Sequence, residues 1–136
     1  MTTSTIAPAS ATLIDCLRSA NFEPLRPYLV PETVFDATVP GWRFRLRGTE
    51  QIVSQLHHWW PTPAELPSCR VTPTVEGAVL EFERHWLEQG ERRGCRQVHV
   101  LVLDGERLRE LRITCADKWD EQTLREVDDN LRDDPS

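Results

Sequence analysis

Apolar residues recur at helical spacing in the early part of this chain and alternate with polar ones in its second half. In ATLIDCLRSA, Leu13, Ile14 and Leu17 share one helical face, with Ser10 placed to cap the helix and Asn21 to end it. Pro24 suits the first turn of a short second helix through Leu25, Tyr28 and Leu29, and Pro31 stops it. Thr49 is placed to cap a third helix, TEQIVSQLHHWW. Ile52, Val53, Leu56, Trp59 and Trp60 form its wide apolar face, and Pro61 and Pro63 end it. Ahead of that helix, VFDATVPGWRFRLRG reads as a strand pair broken at Pro40-Gly41, with an acid, Asp36, inside an apolar run.

After Pro67 the period drops to two. CRVTPTV, AVLEFERHWLE, CRQVHVLVLD and RLRELRITC read as four strands, turning at Glu76-Gly77, Gln89-Gly90 and Asp104-Gly105. Leu124, Val127 and Leu131 predict a short amphipathic C-terminal helix with a solvated acidic end. Helices followed by an antiparallel meander make an α+β fold, one curved sheet with helices on one face. Residues 1–9 read as a loose tail, 10–120 as one domain and 121–136 as the helix and acidic tail.

The turns predict which residues face each other. A two-residue turn at Gln89-Gly90 sets Leu80 opposite His99 and Phe82 opposite Gln97. A three-residue connection over Asp104–Glu106 sets His99 opposite Leu111, Gln97 opposite Ile113 and Cys95 opposite Cys115. One face then holds Leu80, Phe82, Trp86, Leu101, Leu103, Leu111, Ile113 and Cys115, and it also carries Arg84, Gln97, His99 and, at its edge, Arg109. The other holds Glu81, Glu83, His85, Val98, Val100, Val102, Glu110, Arg112 and Thr114. Gln97 and His99 stand out. A polar side chain buried without a partner costs about 1–3 kcal/mol, so each needs a structural hydrogen bond or a cavity.

Composition narrows the possibilities. A net charge of -6 argues against a nucleic-acid partner. No apolar run approaches a membrane span, and MTTSTIAPASA lacks the basic and apolar segments of a secretory signal, so a cytoplasmic protein with no membrane partner is expected. Cys16, Cys69, Cys95 and Cys115 are widely spaced and read as free thiols, Cys95 and Cys115 as small buried hydrophobes. His57 and His58 point about 100° apart on their helix and do not make a chelating pair; no metal is expected. Glu83 and His85, on the outer face, are expected to pair with arginines.

The order of helices, a strand bearing Asp36, a helix opened by Gly48 and a strand meander resembles the NTF2-like superfamily over about residues 10–120. More narrowly it resembles SnoaL-like polyketide cyclases and ketosteroid isomerases. VPGWRFRLRG, RQVHVLVLDG and CADKWD resemble an actinobacterial branch of NTF2-like proteins. The resemblance implies a cystatin-like cone, a strongly curved antiparallel sheet around the N-terminal helices with an internal pocket. It places Asp36, in V-F-D, at the isomerases' carboxylate base and His99 at their second acid, and it makes Leu111, Ile113 and Cys115 a pocket wall. The isomerases' catalytic tyrosine has no counterpart, since the first helix offers Leu13 and Leu17.

The expected function is proton transfer, such as isomerisation, cyclisation or dehydration, on a compact, mostly apolar molecule with a carbonyl. Asp36 would take the proton and His99, helped by Gln97, would polarise the oxygen, with no cofactor. Trp42, Trp59 and Trp60 are candidates for the pocket mouth, Trp119 for its closure and Arg84 for approach to it. Leu56, Phe82 and Leu101 complete the expected lining. The alternatives are a ligand-binding protein without chemistry and a dimeric interaction module. Homodimerisation through the valine-bearing outer face fits all three.

Overall fold

A computed structural model describes residues 6–132 of the chain. Residues 1–5 of the expected tail and the acidic end after residue 132 lie outside them. The first helix, α1 (Pro8–Ser19), begins inside the segment read as tail. Pro8 sits in its first turn, where a missing N–H leaves no bond unmade. Ser10 is therefore inside the helix and buried, not its cap. The next segment, Glu23–Tyr28, is a single 3-10 stretch, because Pro24 and Pro27 remove donors that an α-helix would need.

A strand pair follows, β1 (Val34–Val39) and β2 (Trp42–Arg47), and then α2 (Thr49–Trp59). Gly48, not Thr49, holds the position before α2, at φ 90°. Its N–H donates to the Thr33 carbonyl at 2.9 Å, and a Cβ there would lie 3.3 Å from the Pro31 oxygen. β3 (Glu65–Pro73) starts earlier than its alternation suggested. β4 (Gly77–Glu88), β5 (Glu91–Asp104), β6 (Arg107–Trp119) and α3 (Glu121–Arg132) complete the chain.

The six strands form one sheet in the order β2-β1-β6-β5-β4-β3. Every neighbouring pair is antiparallel except β1 with β6, which is parallel. The turn at Gln89-Gly90 sets Leu80 opposite His99 and Phe82 opposite Gln97, as the sequence predicts. The β5–β6 register differs from the expectation. Asp104 pairs with Arg107 across a two-residue turn, and a bulge between Val102 and Leu103 adds a residue. His99 therefore opposes Ile113, not Leu111, and Gln97 opposes Cys115, not Ile113. A slip of two keeps every side chain on its face, so the partition into faces survives. A second bulge, between Cys95 and Gln97, sets Cys95 opposite Lys118 instead of Cys115. Leu108, rather than Arg109, is the buried residue at the inner edge.

The sheet's inner face packs on α1, the 3-10 segment and α2. Leu13 and Leu17, Phe22 and Leu25, and Ile52 and Leu56 meet Phe35, Leu80, Phe82, Leu101 and Leu111 in one core. α3 lies against the start of β5, where Gly94 leaves the room Leu124 fills; a Cβ on Gly94 would fall 2.7 Å from Leu124 Cδ2. Among the described residues no helix is long and apolar enough to cross a membrane.

Candidate functional site

Phe35 and Ala37 are the core-facing residues of β1, so alternation turns Asp36 to the outer face. There it lies opposite Arg45 on β2 and Arg112 on β6. Arg43 donates to both carboxylate oxygens, Nε at 3.0 Å and Nη2 at 2.7 Å, and Arg45 Nε adds a third bond at 3.2 Å. The hydrogen bonds from Arg43 hold the Asp36 carboxyl below the usual carboxylate range. Asp36 is 7% exposed, but its cover is arginine side chains that are themselves 57% and 66% exposed. Asp36 and His99 thus lie on opposite faces of the sheet. The expected division of labour between Asp36 and His99 on one substrate is corrected by this: parity turns the acid of V-F-D away from the face that carries His99.

A consequence is testable. Replacing Asp36 by Asn should lower stability by about 1 kcal/mol at neutral pH, the worth of a solvent-screened ion pair. A carboxyl with a depressed folded-state pKa contributes above its unfolded value, and the contribution vanishes as pH falls through the folded one. The difference between wild type and Asp36→Asn in urea melts should therefore close at strongly acid pH; a difference independent of pH would contradict the ion-pair role.

His99 is fully buried and meets the Phe82 ring edge-on, centroids 5.0 Å apart. Its Nε2 lies 2.7 Å from Gln97 Oε1. An amide oxygen only accepts, so Nε2 carries the proton and Nδ1 keeps a lone pair, with no partner. Burial pushes the imidazole pKa down to about 3, so it is neutral at ordinary pH. His99 thus acts on Gln97 rather than on solvent: it fixes the amide oxygen and leaves the amide nitrogen beside Cys115.

Gln97 forms part of the floor of a pocket of about 340 Å³ at the open end of the cone. The β1–β2 turn contributes Val39 and Pro40. The end of α2 contributes His58, Trp59 and Trp60, β5 adds Cys95, and β6 adds Cys115, Asp117 and Lys118. Of the expected lining, Gln97, Trp60 and Cys115 meet here, with Trp59 beside them. Leu56, Phe82, Leu101, Leu111 and Ile113 do not; they are sealed in the core, because α1 and the 3-10 segment fill the cone with Leu13, Leu17, Phe22 and Leu25. Trp42 is 68% exposed at the start of an edge strand and is not among the residues lining this pocket. Trp119 lines a separate surface hollow with Arg93 and Thr123. A larger groove, about 660 Å³, runs between the 62–65 segment and the end of β4, past His85 and Arg92. No buried polar group without a partner belongs to it, whereas the mouth pocket contains the Trp60 indole N–H.

Arg84 faces inward but serves the fold. Its Nε donates to the Leu17 carbonyl at 2.9 Å and Nη2 to the Thr62 carbonyl at 2.6 Å. Its guanidinium lies 4.6 Å from the centre of the Trp60 ring and 5.4 Å from that of Trp86. Burial pushes its pKa down to about 10, still charged at neutral pH. Glu83 and His85, expected to seek arginines, bond each other at 2.5 Å. His57 accepts the Phe22 N–H at 2.9 Å and so ties the 3-10 segment to α2.

Val39, Pro40, His58, Cys95, Asp117 and Lys118 are pocket residues that the sequence did not single out as such. Strand β6 runs on to Trp119, past the point where apolar alternation ends, and that extension carries Asp117 and Lys118 to the mouth. His58 differs from His57 only by the 100° step between adjacent helical residues, which turns it toward the opening.

No family model matches the chain, and no curated protein does. Solved structures do. An LEH-like epoxide hydrolase from M. tuberculosis is 16% identical with a TM-score of 0.62, over 80% of both chains. A protein of ketosteroid isomerase-like fold from Catenulispora acidiphila, in complex with trimethylamine, is 11% identical with a TM-score of 0.63, over 80% of this chain and 85% of that one. A candidate polyketide cyclase from Pseudomonas putida KT2440 is 11% identical with a TM-score of 0.62, over 82% of this chain and 91% of that one. At such identities the likeness is one of fold.

Proposed function

From the NTF2-like fold of this chain, with its polar pocket floor, we propose that the protein binds a compact, mostly apolar molecule bearing a carbonyl in the mouth pocket. The observation that carries this reading is Gln97. Gln97 is 4% exposed, lies on the pocket floor and is held by a histidine whose other ring nitrogen has no hydrogen-bond partner. Fixing the amide oxygen on His99 leaves the NH2 group as the donor for a ligand oxygen. Val39, Pro40, Trp59 and Trp60 supply apolar walls, and about 340 Å³ is room for a small ligand.

The test is an NMR titration with a panel of small aromatic and alicyclic ketones. Binding at this site shifts the Gln97 side-chain NH2 and the Trp60 indole N–H. Gln97→Leu should weaken affinity about tenfold, the loss of one buried hydrogen bond. Shifts confined to the groove beside His85 would place the ligand elsewhere and end the reading.

Proton-transfer chemistry is the second reading, favoured by His58 and Asp117, two titratable groups on the helix and sheet sides of the same opening. Isomerisation, cyclisation and dehydration of a carbonyl compound all need such groups, and Asp36 is not available for the task. Exchange of a bound ketone's α-hydrogens with deuterated solvent should be seen with wild type and lost in Asp117→Asn. Unaltered exchange would remove Asp117 from the chemistry.

A further inference from the structure

We propose that Cys115 and Cys95 act as a nucleophilic and a resolving thiol on the floor of the mouth pocket, and that the pocket takes a small organic disulfide which the pair reduces. The proposal rests on the pocket admitting small molecules, as the binding reading does, but not on the identity of any neutral ligand.

Both cysteines line the same pocket. The bulge in β5–β6 sets Gln97 opposite Cys115 and leaves Cys95 two residues away on the same face, so the thiols are diagonal neighbours. Each thiol is the strongest influence on the other's titration. Their exposure differs. Cys115 is half-buried, whereas Cys95 is 1% exposed. The Cys95 thiol, the Gln97 amide and the Asp117 backbone each favour a thiolate at Cys115. The Cys95 thiol has the largest effect, and it holds the Cys115 pKa below the ordinary thiol range. The same pairing, with burial, pushes Cys95 up. An accessible acidic thiol beside a buried protonated one is the division of labour that thiol–disulfide exchange requires.

Arg84 lies directly opposite Cys95 on β4, and its charge favours a thiolate there when Cys95 has to give up its proton. Trp59, Trp60 and Pro40 offer apolar contact to organic substituents. The other thiols lack this setting. Cys16 is buried on the core face of α1, and burial pushes both Cys16 and Cys69 up.

The chemistry balances in two steps. The Cys115 thiolate attacks one sulfur of R–S–S–R; a Cys115–S–S–R bond forms and RS⁻ leaves. Cys95 then loses its proton and attacks the Cys115 sulfur, forming Cys95–S–S–Cys115 and releasing the second RS⁻. The proton ends on a departing thiolate. The protein's two thiols are oxidised, and the small disulfide is reduced to two thiols.

The probe is the aryl disulfide dithiobis(nitrobenzoate), used on the full chain carrying Cys69→Ser to silence the remaining partly exposed thiol. The expected result is two equivalents of aryl thiolate per folded chain and no retained adduct. Peptide mapping should find Cys95 joined to Cys115. At about pH 6 the first release should be about tenfold faster than from an ordinary exposed thiol. Cys95→Ala should release one equivalent and keep a stable adduct on Cys115. One equivalent with a stable adduct when Cys95 is intact, or release only after denaturation, would overturn the proposal. Ketone shifts at Gln97 without thiol release would sink the thiol pair alone, and the absence of both would sink the binding reading with it.

Discussion

Lowering the pH from about 6.5 toward 4.5 should destabilise this protein by about 1.4 kcal/mol per pH unit, and His99 should account for it. The imidazole has its pKa pushed from 6.5 to about 3 by burial. Between those values the unfolded chain binds a proton at His99 and the folded chain does not. Stability therefore rises with pH through this window and is lost as pH falls. The physical cause is confinement: Phe82, Leu80 and Ile113 surround the ring, and Gln97 offers it only an acceptor. Protonating Nδ1 would leave a charge in the core with nothing to receive it. Urea melts of wild type and His99→Gln at several pH values in this range read the effect directly. The variant has a lower baseline stability but a flatter slope. The depressed carboxyls Glu23, Asp36, Glu88, Glu110 and Asp120 begin to contribute at the acid end of this range, but wild type and variant share them, so the difference in slope isolates His99. Parallel slopes would show that His99 titrates normally and is not sealed.

The other large effect is at Arg84. Arg84→Ala should cost about 3–5 kcal/mol, because a buried charged group that bridges elements is removed and two carbonyls lose their donors. Those carbonyls belong to Leu17 at the end of α1 and Thr62 in the loop after α2. The indole faces of Trp60 and Trp86 also lose the cation between them. Arg84→Met tests which part dominates. It restores most of the packing volume without the donors, and it should recover less than half of the loss, as measured by thermal and urea unfolding. Full recovery by methionine would mean that the guanidinium's bonds contribute little and that volume alone holds this corner.

Much of the architecture was legible in the residues. The two-residue turn at Gln89-Gly90 sets the β4–β5 register, and strict alternation then assigns faces that the structure keeps. The β5–β6 register was not legible to the residue. A bulge inserts without changing which faces are apolar, so hydrophobic patterning is blind to a slip of two. The candidate site suffered in two ways. Asp36 was read through a motif, yet Phe35 and Ala37 on either side were the better guide to which way β1 points. The apolar wall of Leu111 and Ile113 was located correctly on the inner face, but whether that face lines a cavity or a core depends on how completely α1 and the 3-10 segment fill the cone.

The sequence by itself determined the elements, the helix-covered face of the sheet and the presence of two polar groups, Gln97 and His99, on that face. These follow from local spacing and turn length, which short-range sterics and burial settle. Only the tertiary structure decided that His99 is sealed behind Gln97, that arginines from β2 neutralise Asp36, and that Cys95 and Cys115 share the floor of a pocket at the mouth. Each depends on contacts between segments distant in the chain, or on a bulge that shifts one strand past another, and composition and periodicity carry no record of either.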